Sequence, residues 1–340
     1  MNAPLNITRR TAVLASAIAL AGLAGPALAQ PTPNGATAAE KQLASDRFMI
    51  ITPFQAGGPT DMLARILSDG LARRYGTVSV VDNPLGAAGN IGMEKVKRAK
   101  GDGHTLLVVP AGNLTINPTL MANFPFDIQK DFVPITMLAK TPNVLVVNPA
   151  SGIRTAKDLV AQAKARPNTL SYASPGVGSS LHLAGELFKQ QTGADILHVP
   201  YKGSAAALND VLGGAVPILF SNLPTTLPFI KNGKLVVLGI TEQQRSPAAP
   251  DIPTLAEQGI SGVTVTSWYG LLAPAGTSPA VAEQLAKDAA QMLAQPDVRE
   301  RLLGQGMTVS TMKPAEFATA IRNETATWAG IIKSHHIVAE

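Results

Sequence analysis

The chain has no cysteine. Disulfides, thiolate metal sites and cysteine nucleophiles are therefore excluded. Charge is sparse, with Asp, Glu, Lys and Arg making up only 15% of the 340 residues. Lys and Arg cluster nowhere, which argues against nucleic-acid binding. The apolar run 12–23 is too short for a transmembrane span. No repeat period, low-complexity tract or Gly-x-Ser-x-Gly elbow is present. His335-His336 has no third ligand spaced nearby and reads as a solvated tail, not a metal site. No cofactor is expected.

Hydrophobic residues supply 46% of the chain. That fraction, at this length, predicts a globular protein with two domains. Residues 1–29 read as an export signal. Arg9 and Arg10 charge its start, an apolar stretch follows, and Ala27-Leu28-Ala29 fits small-x-small cleavage before Gln30. The arginine pair resembles a twin-arginine signal, although a general secretory signal can carry the same pair. The formal charge of +5 then loses Arg9 and Arg10, leaving +3 on the mature chain. Residues 30–45 read as a mobile, polar linker. The expected location is the periplasm.

The organising stretch is Phe54-Gln55-Ala56-Gly57-Gly58-Pro59-Thr60-Asp61, after the apolar strand 50–53. Met62, Leu63, Ile66, Leu67 and Leu71 then recur at helical spacing and bury one face. Glycines permit the turn, and Pro59 suits the first helical position. The unpaired N–H groups of such a helix start, with its dipole, favour an anion. A plain strand–turn–helix corner would look the same. Asp61 is either a site residue or a cap that orders its own loop.

Short apolar runs alternate with helices, predicting a parallel, doubly wound α/β sheet. The strand 106–110 closes on Gly112 and Asn113, two further ligand candidates. From residue 143 the pattern restarts. A second Gly-rich turn, Gly176-Val177-Gly178-Ser179-Ser180, precedes a helix with Leu181, Ala184, Leu187 and Phe188 on one face. It is a second candidate anion site with the same physics. His182 could bond the ligand or the loop, or be a buried, satisfied histidine. Tyr201 and Lys202 sit at a strand end, where Lys202 could neutralise a carboxylate or face solvent. Asn222 lies at the carboxyl end of the strand 216–220, and its amide both donates and accepts. Gln55 could tune ligand choice. Trp268 could form a cleft wall or pack in the core.

The motifs Phe54-x-Ala56-Gly57-Gly58-Pro59-Thr60-Asp61, Asp82-Asn83-Pro84-x-Gly86-x-x-Gly89-Asn90, Asp102-Gly103-His104-Thr105, Gly178-Ser179-Ser180-x-His182, Pro200-Tyr201-Lys202-Gly203, Pro250-Asp251-Ile252-Pro253-Thr254 and Trp268-Tyr269-Gly270 stand in that order. Together they resemble the Bug family, the substrate-binding proteins of tripartite tricarboxylate transporters. The resemblance spans nearly all of the mature chain. It implies a two-domain, type II Venus-flytrap fold with two crossing strands, near 137–147 and 263–273. Domain 1 would combine 46–142 with 264–340, and domain 2 would be 143–263. It also implies a small organic acid held by loop 54–60 on one side and loop 176–180 on the other, without catalysis. Membrane transporter subunits would be the partners of a monomer that is not itself membrane-embedded.

Two other functions compete. A serine hydrolase would use Ser179 or Ser180 with His182, but a Ser at a helix entry is a good cap. A sensing partner of a signalling receptor would use the same clamp. Few charged residues fall among the cleft candidates, which favours a mono- or dicarboxylate with an apolar body.

Overall fold

The computed structural model describes residues 35–334 and 336–338. The export-signal reading of residues 1–29 and the reading of His335 lie outside them. The elements of the first half are α1 (Ala38–Leu43), β1 (Phe48–Ile51), α2 (Pro59–Tyr75), β2 (Ser79–Asp82), α3 (Asn90–Lys97), β3 (Thr105–Pro110), α4 (Ala111–Thr115), α5 (Asn117–Leu120), α6 (Ile128–Asp131) and β4 (Phe132–Val147). Then come α7 (Ala156–Ala165), β5 (Leu170–Ser174), α8 (Ser180–Thr192), β6 (Ile196–Pro200), α9 (Ser204–Leu212), β7 (Ile218–Asn222), α10 (Leu223–Lys231) and β8 (Val236–Ile240). The chain finishes with β9 (Thr266–Pro274), α11 (Pro279–Leu293), α12 (Pro296–Gly304), β10 (Thr308–Val309) and α13 (Pro314–Ser334).

Alternation along the strands builds the layers. In β3, Leu106 and Val108 face one apolar cluster with α2 and α11, while Leu107 and Val109 face another with α3 and α13. In β4, Val144 and Val146 face α9 and α10, and Leu145 and Val147 face α7 and α8. The strands follow the order β2-β1-β3-β9-β4-β7-β5-β6, with β8 and β10 also paired to β4. β1, β2 and β3 are parallel, as are β5, β6 and β7. β4 and β9, antiparallel to their neighbours, break the purely parallel expectation.

β4 is the element that joins the halves. Its first part pairs with β9 and its last part with β7 and β8. The family resemblance implies a crossing strand near 137–147, but the residue pattern by itself does not show a 16-residue strand, because Pro134 and Pro142 interrupt it. The register shifts beside Pro134, which is how the pairing absorbs that missing donor. Helix α13 also spans both halves. Phe317 and Ile321 pack with the β3 cluster, while Trp328 and Ile332 pack with the α7–α8 cluster.

In the described part of the segment read as a linker, Ala38–Leu43 form a helix. Thr37 and Glu40 form a capping box, and Ala39 and Leu43 are buried against the core. Arg74 of α2 reaches Glu40 at 3.0 Å and the buried Asp288 of α11 at 2.6 Å. Asp288 also accepts from Gln284 at 2.9 Å and from the Tyr75 hydroxyl. Burial pushes the Asp288 carboxyl up, and these donors only partly pull it back. Asp288→Ala is expected to destabilise the protein by about 3 kcal/mol in urea unfolding, the low end for breaking a buried pair, because Arg74 keeps access to water. A loss below about 1 kcal/mol would mean that the pair behaves as a surface one.

Candidate ligand-binding cleft

The strand ends on the two halves of the sheet open onto one cleft of about 1060 Å³. Phe54, Gln55, Ala56, Gly57, Gly58, Pro59 and Thr60 line one wall, with Gly112 and Asn113. Gly176, Val177, Gly178, Ser179, Ser180, Tyr201, Lys202 and Asn222 line the other side. Of the candidates read from the sequence, Asp61, His182 and Trp268 stand outside the lining.

Asp61 lies beneath its loop. Its carboxylate accepts from the Gly57 amide at 3.0 Å, Arg65 Nε at 2.9 Å and Asn83 Nδ2 at 3.2 Å. Asn83 also donates to the Phe54 carbonyl at 3.0 Å. Burial pushes the Asp61 carboxyl up, but the bonds from Arg65, Gly57 and Asn83 outweigh it and hold the group below the usual range. Asp61 therefore orders the loop from beneath. The start of α2 has Gly58 before it and no side-chain cap, so its first-turn donors stay open to the cleft.

The second loop is braced from behind. The Gly176 amide donates to Ser174 Oγ at 3.2 Å, and the Gly178 amide donates to His182 Nδ1 at 3.4 Å. The amides of both glycines thus turn inward, contrary to a simple backbone cradle. Ser179 caps α8 through the His182 amide at 3.1 Å. That leaves the first-turn amides of Ser180 and Leu181, both on the lining, to face the cleft. His182 and His198 stack at 4.4 Å, and Tyr172 stacks on His198 at 4.8 Å. Burial drives both imidazoles to the neutral form, His182 down to about 4 and His198 down to about 3.

The walls meet at the inner end of the cleft. A Cβ built on Gly112 would collide with the Gly178 carbonyl, and one on Gly178 with the Asn117 amide. Beside them Ser180 Oγ and Ser267 Oγ are 2.6 Å apart. Ser267 donates to Asn143 Oδ1 at 2.6 Å and Asn222 Nδ2 donates to the same oxygen at 2.9 Å. Tyr269 donates to Asn222 Oδ1 at 3.2 Å. Asn222 is thus part of a buried polar floor as well as the lining.

Several lining residues escape sequence reasoning. Ala87 and Ala88 adopt left-handed φ values of 47° and 53°, rare for residues with a Cβ. Asn113 Nδ2 holds the Ala88 carbonyl at 2.8 Å. The glycines at 86 and 89 signal that turn, yet nothing in the sequence marks it as cleft wall. Asn117, Ser267 and Tyr269 reach the cleft only through long-range packing. Trp268 does not line it; its Nε1 donates to Glu324 at 2.7 Å and its ring sits edge-on to Phe317.

The serine-nucleophile reading finds no support in this geometry. Ser179 Oγ donates to the Gly176 carbonyl at 2.7 Å and serves as a cap. Among the described residues the close serine–histidine side-chain pair, Ser174 Oγ with His198 Nε2 at 2.7 Å, is buried, and His198 Nδ1 has no orienting partner. Among the described residues no group of three His, Asp or Glu side chains could hold a metal ion.

Two α/β halves, joined by a shared strand and facing each other across one cleft, define a binding protein of the Venus-flytrap class. Residues 63–337 match the model of the tripartite tricarboxylate transporter family receptor, and the chain belongs to that family. Protein BugT of Bordetella pertussis is 36% identical over 330 residues, covering 97% of this chain and 98% of its own. An R. palustris protein solved with adipate is 33% identical with a TM-score of 0.83, covering 86% of this chain and 98% of its own. The periplasmic binding protein BugD is 31% identical with a TM-score of 0.81, covering 87% of this chain and 99% of its own. BugD is thus described as a periplasmic binding protein and the family as transporter receptors. No helix among the described residues is long and apolar enough to cross a membrane.

Proposed function

We propose that this chain is a periplasmic solute-binding protein. It captures a small mono- or dicarboxylate in the cleft and delivers it to membrane subunits of a tripartite tricarboxylate-type transporter. The carrying observation is that the starts of α2, α8, α9 and α10 all line the same cleft. Their open donors and dipoles favour negative charge together. Adipate in the R. palustris relative is consistent with such a ligand. Export with cleavage after Ala29 would put the protein where a transporter can meet it. The halves 46–142 with 264–340, and 143–263, would then close by a hinge in the crossing segments, selected by the ligand. The C-terminal half of α13 would act as a strap across that motion. No catalytic step is involved.

A thermal-shift screen against small acids tests this reading. A ligand that binds only the folded state raises Tm according to RT ln(1 + [L]/Kd). A shift confined to carboxylates supports the proposal. No shift with any acid, on protein unfolded and refolded to strip bound ligand, contradicts it. Lys202 is exposed, lines the cleft and makes no ion pair among the described residues. Lys202→Ala is expected to weaken carboxylate binding by about 0.5–1 kcal/mol, the scale of an exposed charge pair. Titration calorimetry at low and high salt checks it, and equal affinity at low salt would remove Lys202 from the site.

A further inference from the structure

Helix α13 passes from one apolar cluster to the other, and the crossing point is polar. Phe317 and Ile321 belong to the cluster of Leu114 and Trp268, whereas Trp328 and Ile332 belong to that of Ile116 and Leu120. Between the two pairs along α13 stands Glu324, partly buried and outside the cleft lining. One of its carboxylate oxygens accepts from Trp268 Nε1 of β9 at 2.7 Å. The other accepts from Trp328 Nε1 at 3.2 Å and from Thr115 Oγ1 of α4 at 3.2 Å. The chain has two tryptophans, and both indoles donate to this one acid. Burial pushes the Glu324 carboxyl up; the bonds from Trp268, Trp328 and Thr115 pull it back, and the Lys140 charge helps least. Helix α4 is also where the walls meet, because a Cβ on its Gly112 would collide with the Gly178 carbonyl. It is thus pressed against the second loop in front and tied to Glu324 behind.

We infer that Glu324 is a positioning residue, a latch at the back of the hinge that fixes Trp328 and α4 as the seat against which residues 143–263 close. The inference rests on the hinge-closing reading proposed above and names the residue that sets its balance. An indole N–H can only donate, so two of them need two acceptor oxygens. An ionised carboxylate supplies both, and its hydrogen bonds are stronger than those of a neutral amide. A glutamine would supply one oxygen and turn its NH2 group towards the other indole. Opening the halves must disturb the packing of Trp328, Ile332, Ile116 and Leu120 against the α7–α8 cluster. The bonds to Glu324 resist that movement, because they tie α13 to β9 and α4 at the same point.

The chain has no cysteine, so Ile91→Cys and Leu197→Cys place two spin labels without background, one on each half at an exposed position. Double electron–electron resonance on the refolded protein, with no acid added, reads the distances between them. The labelled protein is expected to show its main population at the separation set by the arrangement described above. Glu324→Gln should raise the odds of longer separations about fivefold, the scale of one lost hydrogen bond. Trp268→Phe keeps a ring beside Phe317 and removes the shorter bond. It should shift the distances the same way, and the double variant should shift them by less than the two effects combined. Urea unfolding of the same proteins supplies the contrast. A merely structural Glu324 would lower the unfolding midpoint and leave the distances of the folded protein unchanged, and that result would overturn the inference. Additive shifts, or a labelled protein already at the longer separation before Glu324 is changed, would overturn it as well. None of these failures touches the carboxylate reading, which fails in the thermal-shift screen instead.

Discussion

Gly178→Val should abolish ligand binding, with affinity falling by roughly a hundredfold or more, equivalent to about 2.7 kcal/mol. Two features act together. The residue has φ +78°, which a β-branched side chain resists. Its Cβ would also occupy the place of the Asn117 amide, where the two walls meet. The valine would therefore prop the cleft open as well as strain the loop. Gly57→Ala is the matching control. Gly57 has φ +87°, but nothing lies within 4 Å of a Cβ built there. That change carries only the strain, about 1–2 kcal/mol, so its binding loss should be the smaller one. Calorimetry on both variants, with circular dichroism to confirm the fold, distinguishes them. Equal losses would mean that strain alone matters and that the walls need not meet.

The second large effect is acid instability centred on His182 and His198. Both rings are buried and neutral in the folded protein. For His182, burial is the main cause of its drop to about 4, helped by the Lys189 charge. For His198, burial and the neighbouring His182 bring it to about 3, against a small opposing pull from Glu186. In the unfolded chain both titrate near 6.5. Below that value the unfolded state binds more protons than the folded state, so stability falls with falling pH. The contribution is fully present above pH 6.5 and is lost progressively towards pH 4 and then 3. Each histidine adds a slope of about 1.4 kcal/mol per pH unit in the middle of that window. Urea unfolding at pH 7.5, 6 and 5 measures the slope. His182→Asn keeps an acceptor for the Gly178 amide, and His198→Gln keeps a partner for Ser174. Each should flatten the slope by about one histidine's share. Slopes equal to the unsubstituted protein's would show that the rings are not neutral by burial.

Local signals carried much of this architecture. Gly58-Pro59 opens α2 as its residue types require, and Pro279 opens α11 in the same position. Ser179 is the cap that its position suggested. The limits are equally physical. Pro134 and Pro142 hide the strand that unites the halves, because proline ordinarily ends a ladder. Small residues hide α1, whose stability comes from a capping box and from contacts with α2 and α11. The direction of the Gly176 and Gly178 amides could not be read, since it is set by Ser174 and His182 behind the loop. Nor could the floor, where Asn143, Asn222, Ser267 and Tyr269 come together from three strands.

The most direct measurement is titration calorimetry of the refolded, ligand-free protein with the organic acid that gives the largest thermal shift. The account predicts one site per chain, an affinity that falls with added salt, and no detectable heat from Gly178→Val. Undiminished binding by Gly178→Val, with the variant folded, would contradict it, because the acid would then be bound somewhere other than between these two walls.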